Sequence, residues 1–213
     1  MRHDADALGA IVRTLGNSDY ETTWRAMQAF TSKRSADTRD EIWLTEHPPV
    51  YTVGLAGRLE HYPRDATRIP IVKTDRGGQI TYHGPGQVVA YALVDLRRLG
   101  IGVRECVRRL EGAMIRLLES HGITGYGKTD APGVYVLRTN AEAKIGALGL
   151  KVRNGCTYHG VALNVNMDLA PFSEIDPCGY RGLAVTQLTD FGVAAGVDEI
   201  GNELGSHLQR ALA

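Results

Sequence analysis

One cysteine is the first candidate for a catalytic role. The chain holds three cysteines, Cys106, Cys156 and Cys178. Cys106 lies on the flank of an apolar helical stripe, which is typical of a small buried side chain. Cys156 follows a turn, which favours a structural or incidental role. Cys178 stands between Pro177 and Gly179, in a rigid irregular turn away from any apolar stripe. We therefore predict that Cys178 is a nucleophile, which would attack as its thiolate.

Lys144 is the second candidate for chemistry. It leads the glycine-spaced segment KIGALG at residues 144–149. A lysine at a strand end is more often simply exposed, but in a central strand it would be partly buried. An ammonium about 4 Å from a thiol, at an effective dielectric of about 20, favours the thiolate by roughly 4 kcal/mol before desolvation. If the fold brings the pair together, it predicts covalent acyl transfer, with Lys144 later acting as general base for an amine acceptor.

Two glycine-rich segments accompany this pair. Residues 76–87 read RGGQITYHGPGQ, and residues 157–160 read TYHG. Adjacent glycines let backbone N–H groups approach a ligand closely, as a developing oxyanion requires. The spacing fits neither the P-loop nor the dinucleotide fingerprint, and plain structural turns explain such segments about as often as ligand sites do. Both segments therefore remain candidates for a substrate site.

The elements that must position these residues are runs of strands with helices at the ends and middle. Asn154-Gly155 predicts a hairpin turn, and a helix is predicted to start at Ser18 with a capping box to Glu21. Further helices are predicted at residues 103–121 and at the end of the sequence. Strands are predicted at residues 10–15, 41–44, 50–53, 69–73, 79–96 with a break at 83–86, 133–137, 144–152 and 157–166. This order predicts an α+β fold, one domain over residues 1–213, with a mixed, largely antiparallel sheet covered by helices.

Composition excludes several function classes. Lys plus Arg and Asp plus Glu both total 24, so the formal charge is zero, and we expect no nucleic-acid partner. No segment approaches the roughly 20 apolar residues of a membrane span, and the first residues lack the apolar region of a signal peptide. An odd cysteine count without a CxxC pair is typical of reduced thiols, so we expect a cytoplasmic protein without a membrane partner.

Five motifs in order resemble the octanoyltransferase, or lipoyl(octanoyl) transferase, family. They are RGGQITYHGPGQ at residues 76–87, DAPGVYV at 130–136, KIGALGLKVRNG at 144–155, TYHGVALNVNMDL at 157–169 and PCGY at 177–180. The segment EIWLTEHPPVYTVG from Glu41 onward is also similar, so the resemblance covers roughly residues 41–188.

The resemblance implies a catalytic fold like that of biotin- and lipoate-protein ligases, and an enzyme of lipoate biosynthesis and protein lipoylation. The implied donor is octanoyl-acyl-carrier protein, and the implied acceptors are lipoyl domains of 2-oxoacid dehydrogenases and glycine cleavage H protein. Cys178 would carry the acyl thioester, Lys144 would lower the pKa of Cys178, and neither a cofactor nor a metal is implied. The implied substrate contacts are Arg76, Gly77, Gly78, Gln79, Ile80, Thr81, Tyr82, His83, Ala147, Leu148, Gly149, Gly160, Val161 and Ala162. His159 would border the same pocket, although a structural histidine is an equal alternative.

Three rival interpretations remain. An ATP-dependent lipoate or biotin ligase would form an acyl-adenylate and need no nucleophilic cysteine. A metal-binding module could use His83, His159 and Cys178, but these lack short paired spacing and an obvious fourth ligand. A cysteine hydrolase would release the same acyl-enzyme to water, and no residue pattern excludes it.

Overall fold

The protein is described by a computed structural model over residues 9–63, 68–139, 141–176 and 182–213. Its helices are α1 (Tyr20–Lys33), α2 (Val103–Ser120), the short α3 (Ala170–Ser173) and α4 (Val197–Ala211). Its strands are β1 (Ile11–Asn17), β2 (Glu41–Glu46), β3 (Val50–Val53), β4 (Ile71–Lys73), β5 (Ile80–His83), β6 (Gln87–Leu93), β7 (Gly125–Gly127), β8 (Gly133–Arg138), β9 (Ala141–Arg153) and β10 (Cys156–Asn164).

The strands form two sheets. The larger has seven strands in the order β1-β2-β6-β10-β9-β8-β7, and the smaller has the order β4-β3-β5. Among the described strands, β1–β2 and β3–β4 pair in parallel and the other strand pairs are antiparallel. The predicted α+β fold with a mixed, largely antiparallel sheet covered by helices is therefore confirmed.

The large sheet is covered on both faces near its centre. Successive side chains of a strand point to opposite faces, so β6 sends Val88, Ala90 and Ala92 to one face and Val89, Tyr91 and Leu93 to the other. Helices α2 and α4 pack on the first face, where Leu110, Met114, Leu204 and Leu208 are buried. Helix α1 covers part of the second face through Met27. The rest of that face, together with β5, encloses the site described below.

Local signals explain most boundaries. Asn154 and Gly155 have φ of 52° and 78°, the left-handed conformations of a tight hairpin turn, so that predicted turn is confirmed. The predicted capping box at Ser18 is wrong. Asp19 is the N-cap, because its side chain accepts a hydrogen bond from the Thr22 N–H at 2.9 Å. The Ser18 hydroxyl instead bonds the hydroxyls of Thr23 and Thr45.

Among the described residues, the unpredicted elements include the three-residue strand β7, the one-turn helix α3 and the 3₁₀ turns Leu59–His61 and Leu188–Phe191. None of them contains enough residues to show a periodic apolar pattern. Within the described part of the chain, no helix has the length and apolar character that crossing a bilayer demands.

Candidate active site

A pocket opens between the large sheet, β5 and the segment before β5. Its floor is built from side chains of three paired strands, which form three levels. We call these levels rungs and name them by their distance from Lys144. The far rung is Tyr91, Gly160 and Gly149; the middle rung is Val89, Ala162 and Ala147; the near rung is Gln87 and Asn164. Levels are two residues, or roughly 7 Å, apart along the strands. The floor therefore changes from polar to apolar and back to polar.

Lys144 lies beside the near rung. Thr186 links the two, since its N–H donates to the Lys144 carbonyl and its carbonyl accepts from the Asn164 amide at 3.0 Å. A β-bulge makes this placement: Tyr135 pairs with Lys144 and Val134 with Gly146, so Ile145 is the extra residue. The bulge shifts the alternation, so that Lys144 and Ala147, three residues apart, both line the pocket.

The Lys144 ammonium is buried and held by backbone. The residue is 5% exposed, and its Nζ donates to the Pro132 carbonyl at 2.9 Å and lies 5.2 Å from the centre of the Tyr135 ring. The same peptide group donates the Gly133 N–H to Glu111 Oε1 at 2.8 Å. One peptide group thus joins a carboxyl group to an ammonium. Burial raises the pKa of Glu111, although the Gly133 bond and the Lys144 charge oppose that rise.

Arg76 shapes the segment between β4 and β5. Its buried guanidinium donates to the Thr52 carbonyl at 2.6 Å, to Thr52 Oγ1 and to the Gly77 carbonyl. The Gly77 N–H donates to the Leu150 carbonyl at 2.9 Å and so ties the segment to β9. Gly54 is required where the backbones meet, because a Cβ there would lie 2.3 Å from the Gly78 oxygen. Arg76 therefore acts as a structural anchor whose side chain also faces the pocket.

His159 lies opposite Leu150, beyond the far rung. Its φ of 61° is rare for a residue with a Cβ and indicates local strain at this position. Tyr158 and His159, although consecutive in a strand, both bond Asp75: Tyr158 donates its hydroxyl, and His159 Nε2 lies 3.0 Å from Oδ1. Trp24 Nε1 also donates to Asp75, at 2.9 Å.

Burial sets the charge of this histidine, and Asp75 sets which ring nitrogen carries the proton. Burial alone would raise the pKa of Asp75, but hydrogen bonds from His159, Tyr158 and Trp24 together hold it well below its usual range. Burial lowers the pKa of His159 more than Asp75 raises it, so the ring is neutral at pH 7. An ionised carboxylate accepts only, so Nε2 carries the proton and Nδ1 is left as an acceptor. Nδ1 is buried and has no partner among the described residues.

Two other pocket-lining residues carry buried polar atoms: Gln79 Oε1, which has no partner among the described residues, and the Tyr20 hydroxyl, which lies against the side chains of Thr74 and Thr52. Burial raises the pKa of Tyr20 to about 12, so the hydroxyl keeps its proton. The Tyr20 ring stacks on His83 with the ring centres 5.8 Å apart. Burial lowers the pKa of His83 to about 3, so this ring is also neutral. The Tyr20, His83 and His159 rings are therefore uncharged, and the Arg76 guanidinium lines the pocket beside them.

Most of the sequence-predicted residues meet in this pocket. Lining residues that were predicted are Arg76, Gly78, Gln79, Ile80, Thr81, His83, Lys144, Ala147, Leu148, Gly149, His159, Gly160, Val161 and Ala162. Gly77 and Tyr82 do not line it: Gly77 holds Leu150, and Tyr82 packs against Tyr51 and Phe172. Cys178 lies in residues 177–181, outside the described residues, so its distance to Lys144 stays a prediction.

Sequence reasoning missed several lining residues. Tyr20, Gln87, Val89, Tyr91, Gly146, Asn164, Phe172 and Val185 line the pocket. Gln87 and Asn164 lay within quoted motifs and could have been found as polar residues in otherwise apolar strands. Asp75, which directly precedes Arg76, was missed because an acidic residue in a glycine-rich turn is usually solvated.

The other two cysteines are poor nucleophiles. Cys106 is fully buried, and burial raises its pKa to about 11. Cys156 is 4% exposed, and burial together with the Asp95 charge raises its pKa. The prediction that Cys106 is a small buried side chain is confirmed. Within the residues that the structure describes, no group of three or more potential ligands could hold a metal ion.

The fold and the pocket define a catalytic domain of the lipoyl protein ligase A/B type. The model of the lipoyl protein ligase A/B catalytic domain family matches residues 19–209. Octanoyltransferases of Chromobacterium violaceum and Aromatoleum aromaticum are 58% and 60% identical over 203 and 202 residues; both alignments cover 95% of this chain, and they cover 96% and 85% of those proteins. The chain belongs to the octanoyltransferase family, a family of acyltransferases.

Solved structures show the same fold at low identity. A bi-partite lipoate protein ligase from Thermoplasma acidophilum has a TM-score of 0.76 at 18% identity, covering 96% of this chain and 84% of that one. The biotin protein ligase from Aquifex aeolicus, in complex with biotin and ATP, has a TM-score of 0.59 at 13% identity, covering 95% and 70%. The predicted likeness to biotin- and lipoate-protein ligases is therefore confirmed at the level of fold.

Proposed function

We propose that this protein transfers an octanoyl group from octanoyl-acyl-carrier protein, through a thioester on Cys178, to a lysine of a lipoyl carrier domain. The observation that carries the proposal is a pocket with an apolar middle rung beside a buried lysine ammonium. The name octanoyltransferase of relatives at 58% and 60% identity supports the acyl group. The donor and the acceptors, lipoyl domains of 2-oxoacid dehydrogenases and glycine cleavage H protein, rest on the motif resemblance.

In the first step, the Cys178 thiolate attacks the carbonyl carbon of the carrier thioester. A new C–S bond to Cys178 forms, the C–S bond to the carrier breaks, and the carrier thiolate takes a proton from the Lys144 ammonium. Before this step, the ammonium charge keeps the cysteine ionised, as expected for a thiolate beside a cation. The Pro132 carbonyl and the Tyr135 ring hold that ammonium in place.

In the second step, the acceptor amine attacks the Cys178 thioester. The amide C–N bond forms, the C–S bond breaks, and Cys178 leaves as a thiolate. The neutral Lys144 amine takes the proton that the attacking nitrogen loses, which restores the starting ammonium and thiolate. The cycle therefore balances without ATP or a metal ion. The odd cysteine count and this need for a free thiol support a cytoplasmic location.

Intact-protein mass spectrometry after incubation with octanoyl-acyl-carrier protein tests the proposal. We expect one octanoyl mass per chain, located on Cys178 by peptide mapping and absent in Cys178→Ser. Cys106 and Cys156 serve as internal controls, since burial keeps both thiols protonated. Label on either of them instead, or no covalent label, contradicts the assignment.

The same incubation separates the transferase from an ATP-dependent ligase. With a lipoyl domain present and no nucleotide, we expect the domain to gain one octanoyl group. A ligase gives product only with free octanoate and ATP. A hydrolase, another of the rivals, releases octanoate at the same rate whether or not the lipoyl domain is present.

A further inference from the structure

The motif DAPGVYV at residues 130–136 contributes an acceptor to the proposed mechanism, the Pro132 carbonyl that bonds Lys144 Nζ at 2.9 Å. An acceptor fixes an ammonium only if the acceptor is itself fixed. The peptide group that carries this carbonyl is planar and ends in the Gly133 N–H, so whatever holds that N–H also orients the carbonyl. The partner of the N–H is Glu111 Oε1, at 2.8 Å. Glu111 therefore acts on the position of the lysine's acceptor.

Glu111 is a buried carboxyl group on α2, and the residue is 8% exposed. Helix α2 packs against β7 and β8, and Gly127 in β7 makes room for the carboxyl group, because a Cβ there would lie 3.1 Å from Oε2. The N–H and C=O of a trans peptide point in opposite directions, and this peptide is trans. Glu111 therefore holds the Pro132–Gly133 peptide from the side of α2, while Lys144 bonds it from the side of the pocket.

Gly133 gives an independent reason why this segment determines where the lysine lies. Its φ is 134°, a conformation that residues with a Cβ rarely adopt. A Cβ at this position would lie 2.6 Å from Lys144 Cε and 2.8 Å from Nζ. The lysine side chain thus passes directly over the glycine, through the space that a larger residue would fill. A displacement of this backbone therefore displaces the end of the lysine side chain.

We propose that Glu111 is a positioning residue, which fixes the Pro132–Gly133 peptide group and thereby the place of the Lys144 ammonium at the reactive end of the pocket. Gly133 completes the arrangement by leaving room for the lysine side chain. The inference rests on the proposed function for what the ammonium does there. It adds two residues that are not among those lining the pocket.

What the peptide group needs from Glu111 is an acceptor oxygen. A carboxyl oxygen and an amide oxygen both accept from an N–H, so Glu111→Gln keeps the contact and Glu111→Ala removes it. The other titratable groups that face the Lys144 ammonium include Tyr135, whose ring centre lies 5.2 Å from Nζ, and Lys128, whose Nζ lies 4.9 Å from the same ring. Neither is altered in these variants.

Two measurements on Glu111→Ala, Glu111→Gln and the exposed control Glu119→Ala test the inference. The first is steady-state octanoyl transfer. A catalytic group displaced by about 1 Å costs on the order of 10²-fold in rate, so we expect a partial displacement in Glu111→Ala to lower kcat about tenfold. KM for the carrier-bound donor should stay at the wild-type value, since no lining residue changes. Glu111→Gln should recover most of the loss, and Glu119→Ala should behave as wild type.

The second measurement is the rate at which iodoacetamide alkylates Cys178 as a function of pH, followed by mass spectrometry of the peptide that contains it. A displaced ammonium stabilises the thiolate less, so the profile of Glu111→Ala should move to higher pH and that of Glu111→Gln should not. A role in folding alone would lower the amount of active protein and leave this profile in place. An unshifted profile in Glu111→Ala, or a Glu111→Gln variant as impaired as Glu111→Ala, overturns the proposal.

Gly133→Ala tests the contact with the lysine side chain. The added methyl group must displace Lys144, so we expect transfer to fall at least about tenfold and the Cys178 profile to move in the same direction. Gly122→Ala is the matched control, because Gly122 also has a positive φ, of 73°, but an added Cβ there meets no described atom within 4 Å. Equal transfer in the two variants overturns the role of Gly133, and the Glu111 variants decide the proposal if Gly133→Ala does not fold.

Alkylation needs no acyl donor, so the outcomes separate this inference from the function on which it rests. If the Cys178 profile responds to Glu111 as expected but no carrier-bound donor acylates the lipoyl domain, the proposed function fails and the positioning role stands. If octanoyl is transferred and neither measurement responds to Glu111, the positioning role is wrong and the transferase activity stands.

Discussion

The two ends of the pocket each contain a buried basic side chain and a carboxyl group, yet the protein holds them in opposite ways. At the far end Asp75 bonds His159 directly, and the histidine is neutral. At the near end the Pro132–Gly133 peptide group lies between Glu111 and Lys144, donating to the first and accepting from the second. A directly paired carboxylate would occupy the side chain it touches. The intervening peptide leaves the Lys144 ammonium facing the pocket.

The comparison shows how one pocket can combine a lysine ammonium at one end with a neutral histidine at the other. An ammonium next to a thiol stabilises the thiolate, whereas a neutral ring costs less to bury than a charged one. The bulge in β9 positions Lys144 at one end of the pocket, and the positive φ of His159 accompanies its contact with Asp75 at the other end. Both are local departures from regular strand geometry.

The largest expected effect follows from changing the charged end. Lys144→Ala removes both the cation and the base, so we expect transfer to fall by about 10²–10⁴-fold and acylation of Cys178 to slow with it. Lys144→Arg keeps the cation but not the base, so it should still be acylated yet transfer poorly. Single-turnover mass spectrometry separates the two steps.

Lys33→Ala, at the exposed end of α1, is the control and should behave as wild type. Transfer at the wild-type rate in Lys144→Arg would remove the base role and leave only the electrostatic one. Rapid acylation of Lys144→Ala would remove the electrostatic role as well.

The second-largest effect is expected from removing the Asp75 carboxylate at the far end of the pocket. Asp75 accepts from Trp24, Gln28, Tyr158 and His159, so Asp75→Ala leaves several buried donors unsatisfied. We expect the free energy of unfolding to fall by about 2–4 kcal/mol. Chemical denaturation measures it, with the exposed Asp37→Ala as control.

The pH dependence of this loss follows from the low pKa of Asp75. A depressed carboxyl pKa contributes stability that is present above the ordinary value of 3.8 and is lost as pH falls through the folded value. The difference between wild type and Asp75→Ala should therefore shrink below about pH 4. A difference that stays constant down to acid pH contradicts the assignment of an ionised Asp75.

Several features of the pocket could be predicted from the sequence, and each was predicted for a different physical reason. Lys144 and the glycine-rich segments were found because their residue types are costly or unusual where they stand. The strands were found because alternation and tight turns are local signals. That residues 1–213 form one catalytic domain stays a prediction.

The contacts at the far end of the pocket could not be predicted from the sequence in the same way. That Asp75 meets His159 depends on a contact across 84 positions, and the unbonded state of His159 Nδ1 depends on every neighbour of that ring. The bulge at Ile145 is likewise a property of strand pairing, since a one-residue shift in register changes which side chains face the pocket. Local patterns predict elements, but not which polar atoms remain unbonded.

Buried neutral histidines should make the folded protein sensitive to mild acid. Burial lowers the pKa of His47, His83 and His159, so each takes up a proton on unfolding as pH falls through about 6.5. His83, whose pKa is about 3, should alone cost about 2 kcal/mol of stability between about pH 7 and pH 5. Denaturation curves at the two pH values measure this, and equal unfolding free energies would show that these rings are charged or exposed.

The smallest effect tests the peptide group that separates Glu111 from Lys144. Glu111→Ala leaves the Gly133 N–H buried without an acceptor, so we expect a loss of about 1–3 kcal/mol in unfolding free energy. Glu111→Gln keeps an oxygen for that N–H and should recover most of the loss, while Glu119→Ala, exposed on the same helix, should cost little. If Gln fails to recover stability, the peptide needs the negative charge and not only an acceptor. The Glu111 charge would then stabilise the Lys144 ammonium through the peptide group. The two ends of the pocket would then differ only in the distance between the carboxylate and the basic side chain.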